Sequence, residues 1–155
     1  MGFYDQSLRR AIHHFKFSGK ISLDRSLGVL LDRAVARDLS LDLVVPVPLH
    51  HKRLQQRSYN QALLLAREFS RNRKLPLAAD RLIKIKATES QQGLSAKQRA
   101  ENLHGAFKLQ GSVSGATVLL IDDVLTTGAT VEACSQVLLA GGAKAVFVAV
   151  VGRAA

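Results

Sequence analysis

The chain has 155 residues, 47% of them hydrophobic, and a formal net charge of +10. That is enough for one domain with a real core, too few for two ordinary domains, and too apolar for a disordered segment. No apolar run reaches the ~20 residues needed to span a bilayer, "MGFYDQSLRR" lacks the apolar stretch of a secretory signal, and the lone Cys134 excludes an internal disulfide framework or a cysteine-based zinc site, so a soluble cytoplasmic protein is expected.

Residues 5–17 carry Leu8, Ile12 and Phe15 at helical spacing. Residues 24–38 give a second amphipathic helix, with Asp24 or Ser26 suited to its N-cap. "LDLVVPVP" (41–48) is a short β-branched run closed by two prolines, which predicts a buried strand stopping at Pro46 or Pro48. Residues 60–72 return to helical period. Residues 80–87 alternate as a strand does, with Leu82, Ile83 and Ile85 as apolar members. Residues 95–102 predict a short polar helix and 105–109 a weak strand. Residues 117–121 form a strongly apolar strand, 129–140 a helix closed by Gly141-Gly142, and 144–151 a final buried strand. Continuous apolar strands alternating with helices predict an α/β fold with a mostly parallel twisted sheet flanked by helices. Neither a Walker A pattern nor G-x-G-x-x-G is present.

The charge is uneven. Residues 50–110 hold 13 Lys+Arg against 4 Asp+Glu, a balance of +9, while residues 1–49 give +2 and residues 111–155 give −1. Such a middle segment is either a solvated basic face or a contact for phosphates, on a small molecule or along a nucleic acid.

"TVLLIDDVLTTGATVEA" (117–133) is the most informative stretch. In a parallel α/β sheet, ligands bind at the carboxyl ends of the strands, and Asp122 and Asp123 stand at such an end. Neighbouring strand residues face opposite ways, but beyond the strand end the chain is expected to turn and let both acids line one crevice. Two close carboxylates need donors or a cation, and vicinal sugar hydroxyls are such donors. Thr126-Thr127-Gly128-Ala129-Thr130 then enters a helix whose N-terminal N–H groups suit a phosphate dianion. Gly128 permits close backbone approach, and the Thr hydroxyls add donors.

"VLLIDDVLTTGAT" resembles the phosphoribosyl pyrophosphate (PRPP) signature of type I phosphoribosyltransferases. "VVPVPLHHKRLQQRSYNQALLLA" and "ATESQQGLSAKQRAENLHGAF" resemble the ComF/GntX, competence protein F-like, branch of that superfamily. The likeness runs from about Tyr4 to Arg153. It implies a single domain over 1–155, with residues 1–40 as a helical N-terminal and hood part and 41–155 as the core. It implies that Asp122 and Asp123 hold the ribose hydroxyls and that the segment through Val124, Leu125, Thr126, Thr127, Gly128, Ala129 and Thr130 wraps the 5′-phosphate. Leu49 to Arg53 would be the pyrophosphate loop, and about Lys86 to Arg99 a lid. Magnesium would arrive with PRPP near Asp122 and Asp123, not on protein ligands of its own. Lys52, Arg53 and Arg57 are candidate cations for the leaving pyrophosphate, and Arg99, or Lys97, would come with the lid. Transfer to a nitrogen nucleophile would pass through an oxocarbenium-like state. The branch also implies a second role, an accessory in DNA uptake that meets single-stranded DNA or a helicase. A homodimer is expected as well, and a membrane partner is not.

The chain departs from the branch in three ways. Arg57-Ser58-Tyr59-Asn60-Gln61 stands where Arg-Gly-Phe-Asn-Gln is usual, Lys84 and Lys86 stand where Arg is common, and these residues hold no cysteine-rich zinc module, which either the protein lacks or the sequence begins after. Thr126, where purine-salvage relatives carry an acid, argues against hypoxanthine or guanine. His13-His14 and His50-His51 lack the partners a metal site needs, and Cys134, between Val131 and Val137, is expected to be a buried small hydrophobe.

Overall fold

A computed structural model of the chain describes residues 23–87 and 96–153. In chain order the elements are α1 (Leu23–Ala34), β1 (Leu43–Pro46), α2 (His51–Arg57), α3 (Gln61–Arg73), β2 (Leu82–Lys84), α4 (Ala96–Leu103), β3 (Phe107–Leu109), β4 (Thr117–Leu125), α5 (Ala129–Ala140) and β5 (Ala145–Arg153). The helix expected over 5–17 lies outside the described residues.

Strands β1, β4 and β5 form a parallel sheet in that order. Leu77 adds one parallel bridge to Val44 on the far side of β1. β4 runs through the middle, and its side chains alternate between two cores. Val118 and Leu120 join Val45, Leu82, Phe107, Cys134 and Leu138 on the α5 face. Leu119 and Ile121 join Val44, Leu27, Leu31, Leu65 and Phe69 on the α1–α3 face. Residues 118–121 are thus at most 1% exposed. This is why the stretch reads as an unbroken apolar run: both faces of a central parallel strand are covered.

Helices α1 and α3 cover one face. They meet at Gly28, where an added Cβ would lie 2.6 Å from the Glu68 Cβ. The expected 24–38 helix stops at Ala34 because α3 caps it. Arg73 pairs through Nε with the Asp32 carboxylate and donates from Nη2 to the Asp32 carbonyl at 2.9 Å and the Val35 carbonyl at 2.7 Å. Its guanidinium also lies 5.3 Å from the Phe69 ring centroid. Ser26 falls inside α1, not at its cap.

The other face carries α5 and, beyond it, a small lobe made of the antiparallel hairpin β2–β3 with α4. Of the 1–40 segment, expected as a helical N-terminal and hood part, residues 1–22 lie outside the described residues, and α1 packs on the sheet through Leu27 and Leu31.

Two more differences from the sequence reading shape the site. β4 does not end at Ile121; it stays paired with β5 to Leu125↔Arg153, because β5 runs alongside it to Arg153. And the stretch after Leu49, expected as a turn, winds into α2. His50 caps it, its Nδ1 accepting from the Lys52 N–H at 3.4 Å, and Ser58 closes it in the left-handed region at φ 64°.

Candidate functional site

β1 and β4 are in register as Pro46↔Ile121, and the Val47 N–H still donates to the Ile121 carbonyl at 2.8 Å. Both chains therefore emerge at one edge of the sheet, at the carboxyl ends of parallel strands. There β1 delivers Leu49, His50 and the start of α2, and β4 delivers the acids.

Asp122 and Asp123 are both half-buried. The register passes from Asp122↔Val150 to Val124↔Gly152, and Asp122 Oδ1 accepts from the Asp123 N–H at 2.8 Å. The acids thus sit inside the strand. By alternation Asp122 shares the Leu120 face, toward α5 and the small lobe, and Asp123 the Ile121 face. The expected early turn is replaced by a strand whose local geometry is set by the Asp122 side chain. Val124 and Leu125 finish the strand, Thr126 and Thr127 are exposed, and Gly128, Ala129 and Thr130 are half-buried.

Gly128 is the N-cap of α5 at φ 86°. A Cβ there would meet only Leu125 Cδ1, at 3.8 Å, so the glycine is required by the left-handed backbone and not by crowding. It offers no side-chain acceptor to the first turn of α5, whose N–H groups point out of the helix end. Glu132 is the acid in that turn.

The loop after β1 is held by Asn60. Its Oδ1 accepts from the Ala62 N–H at 3.0 Å, capping α3, while its Nδ2 donates to the Val47 carbonyl at 3.0 Å. One side chain ties the start of α3 to the strand end, a structural role for the Asn-Gln-Ala run that its sequence does not reveal. Ser58 takes the left-handed conformation that the branch gives to glycine, so the turn survives the substitution.

Of the candidate cations, Arg53 and Arg57 are half-buried and Lys52 is exposed. Arg99 lies on α4, but its side chain and residues 88–95 of the expected lid fall outside the described residues. Lys86, at the lid's start, donates to the His104 carbonyl at 2.9 Å. Lys84 stands where the branch commonly has arginine. It projects from β2 with its ammonium 5.5 Å from the Phe107 ring centroid. Burial lowers its pKa, Arg53 lowers it further, and Cys134 and Asp122 oppose the shift. Arg53, Lys84 and Asp122 come from three separate elements.

His50 is 6% exposed. Burial lowers its pKa first, then His51, Lys52 and Lys84. The direction favours the neutral ring that its acceptor role at the α2 cap requires. The His50 and His51 rings lie 4.1 Å apart, tilted by 42°. Among the described residues no group of three or more His, Cys, Asp or Glu could hold a metal ion. Cys134 is fully buried, and burial followed by Asp122 pushes its thiol well up. It is a core residue and no nucleophile at neutral pH.

A cavity of about 460 Å³ opens between the small lobe and α5, lined by Leu103, Phe107, Glu132 and Val137 among others. It touches the acid-threonine stretch only at Ala129. Carboxylates, glycine-led helix amides and cations converge instead at the strand ends, an arrangement that can take a polyol bearing phosphates.

Residues 55–154 match the phosphoribosyl transferase domain family. The chain is 38% identical to competence protein F of Haemophilus influenzae, over 99% of this chain and 71% of that protein. It is also 38% identical to the DNA utilization protein YhgH of Escherichia coli, over 94% of this chain and 66% of the relative. Among solved structures, it resembles the glutamine PRPP amidotransferase of B. subtilis with a TM-score of 0.59 at 21% identity, covering 84% of this chain and 26% of that one. The purine phosphoribosyltransferase of Pyrococcus horikoshii gives 0.53 at 17% identity, covering 84% and 72%. These two likenesses concern the fold.

Proposed function

We propose that this chain, which belongs to the phosphoribosyl transferase domain family and to its competence protein F-like branch, binds PRPP and transfers its phosphoribosyl group to a nitrogen nucleophile. The observation that carries this reading is the common exit of β1 and β4 at the carboxyl edge of the sheet, where β4 brings Asp122 on one face and Asp123 on the other just ahead of the Gly128-led helix, and β1 brings the His50–Arg53 segment. Asp122 and Asp123 would take the ribose hydroxyls as acceptors. The segment Thr126–Thr130 would take the 5′-phosphate through backbone N–H groups and hydroxyls. Arg53, Arg57 and Lys52 would offset the charge that grows on the departing pyrophosphate as the C1′–O bond breaks. The donor set suits Mg²⁺ carried in by the substrate: it offers two hard carboxylates and, among the described residues, no closed protein cage. When bound, Mg²⁺ would supply charge neutralisation at the pyrophosphate, close to Asp122 and Asp123.

The test is pyrophosphate release from PRPP and Mg²⁺ across a panel of bases and amines. Acceptor-dependent release, lost in Asp122→Asn, is the expected result. Bound PRPP with no release for any acceptor would leave binding without transfer.

A second reading has its own support in α2. That helix buries no residue and shows His51, Lys52, Arg53 and Arg57 within a segment of charge +9. Two of the chain's relatives carry competence and DNA utilization names. A single-stranded nucleic acid contact through this helix, or a helicase partner at it, would fit. Binding of single-stranded DNA should then weaken steeply with salt, and a flat dependence removes this reading.

A further inference from the structure

We propose that the outer edge of β5 pairs antiparallel with the same edge of a second copy of this chain, joining two three-stranded sheets into one of six strands. Nothing in this depends on the PRPP reading above.

The sheet order β1-β4-β5 leaves β5 outermost. Its inner side pairs with β4 from Ala145 to Arg153, and among the described residues no strand pairs with its outer side. Such an edge presents a row of unpaired N–H and C=O groups, which proteins ordinarily blunt with charge, proline or a bulge. Between Lys144 and Arg153 the run Ala-Val-Phe-Val-Ala-Val-Val-Gly holds neither charge nor proline. Its register with β4 keeps one offset from end to end, so no bulge turns the edge away.

Apolar side chains flank this edge on both faces of the sheet. Phe147 is level with Leu119 and Val148 with Leu120, so Phe147 faces the α1–α3 side and Val148 the α5 side. They are 40% and 42% exposed, whereas Ala149 beside them is buried. On the first side Leu30 of α1 is exposed. It stands two residues from both Gly28 and Asp32, through which α1 meets α3, and so lies on the opposite flank of the helix. On the second side Leu139 of α5 is exposed. It stands two residues from Val137, which packs toward the small lobe, and so it too faces the other way. Both helices touch β5. Four of the seven exposed large hydrophobic side chains among the described residues thus gather round one strand edge, a concentration that marks a contact surface and not scattered solvated residues.

A second copy is the occupant that answers all of this at once. A two-fold axis normal to the sheet sets the two β5 edges antiparallel and keeps like faces together. The ladder groups then pair. Leu30 and Phe147 meet their counterparts on one face, and Val148 and Leu139 meet theirs on the other. A lone strand would pair the ladder but leave both helix flanks open. Nine residues of strand run about 30 Å, and with packed layers about 10 Å apart a strip that takes in both helix flanks is about 25 Å wide. That is roughly 750 Å² per copy, close to the ~800 Å² of a standard specific interface. Lys144 and Arg153 fall at its rim, where exposed charges count for little.

The experiment is sedimentation equilibrium of the whole chain across concentration and salt, for wild type, Val148→Lys, Leu139→Lys and Ile85→Lys, with hydrogen exchange read at β5. Wild type should reach twice the mass of one chain, and β5 amides should gain protection as the dimer fills. Salt should tighten the dimer, because each copy carries +10. Val148→Lys puts a charge on the edge itself, and Leu139→Lys leaves the strand untouched. Each should raise the dimer dissociation constant at least about tenfold, while Ile85→Lys, exposed beside β2, should leave it within about twofold. A wild type that stays monomeric, a dimer that Val148→Lys and Leu139→Lys leave intact, or one that salt loosens would overturn the inference. So would a monomer whose β5 amides are protected at every concentration, which would mean that the chain covers this edge itself. Should Val148→Lys fail to fold, Leu139→Lys decides.

Discussion

Ser58 carries a conformational cost at the edge of the site. A non-glycine residue at φ 64° crowds its own Cβ against the backbone, at about 1–2 kcal/mol. The glycine common in the branch would avoid this but would loosen the unfolded chain by about 0.5–1 kcal/mol. Ser58→Gly should therefore raise stability by up to about 1 kcal/mol in denaturant melts, and a loss would mean that the serine side chain contributes more than its backbone costs. His50 sets a pH limit on the same helix. Its folded pKa lies below the ordinary 6.5 because of burial and neighbouring cations, so the unfolded chain binds the proton more readily than the folded one. Stability is then constant above about 6.5 and falls as pH drops from there toward the folded value. His50→Asn keeps a cap acceptor that does not titrate, and thermal melts from pH 7.5 to 5 should lose this part of the acid dependence. What could be read at this scale was the chemistry of single residues with local causes: the buried Cys134 and the glycine before α5. The surroundings of Lys84 were hidden, because Arg53 and Asp122 are 31 and 38 positions away in sequence.

Elements differ in what holds them. α3 and α5 follow from their sequences: apolar residues at helical spacing, Asn60 as a cap acceptor and Gly128 as a left-handed entry. α2 carries Leu54 as its only aliphatic residue and buries nothing, so no periodicity announces it. His50 and Ser58 at its two ends define it. β4 was legible to Ile121 but not through Leu125, since the last pairs depend on β5 running beside it. The join of α1 to α3 hangs on Arg73, which serves one carboxylate and the last carbonyls of α1 at once. Both its side chain and that of Asp32 are 10% exposed, so removal leaves a charge largely dry. Arg37 still donates from Nη2 to the Asp32 carboxylate at 2.9 Å, so Arg73→Ala should cost about 1–3 kcal/mol in chemical denaturation, less than a wholly unpaired buried charge would. Arg73→Lys should recover less than half, because an ammonium lacks the fork that reaches carboxylate and carbonyls together. Full rescue by lysine would mean that charge alone matters there.

At the scale of the whole molecule, charge and topology separate. The +9 segment lies at residues 50–110, which form the loop after β1, α2, α3 and the small lobe. Part of that charge is taken up by the fold: Arg73 pairs with Asp32, which lies outside the segment, and Arg71 meets Glu68 at 2.8 Å with its own side chain exposed. Such pairs argue that α3 is less of a polyanion surface than its sequence implies, and they leave the crevice side as the stronger anion site. The parallel sheet itself was predictable from alternating apolar runs and helices. The antiparallel pairing of β2 with β3 was not, because it depends on segments about 25 residues apart meeting across the lobe, and that is a tertiary fact.

The central claim is that the acids at the end of β4 grip a phosphorylated pentose. Calorimetric titration of PRPP with Mg²⁺ into wild type and Asp123→Asn tests it most directly. The account predicts saturable heat in the wild type and an affinity at least about tenfold weaker in the variant, the loss expected when a charged acceptor becomes neutral. Equal heats and equal affinities in the two proteins would contradict it.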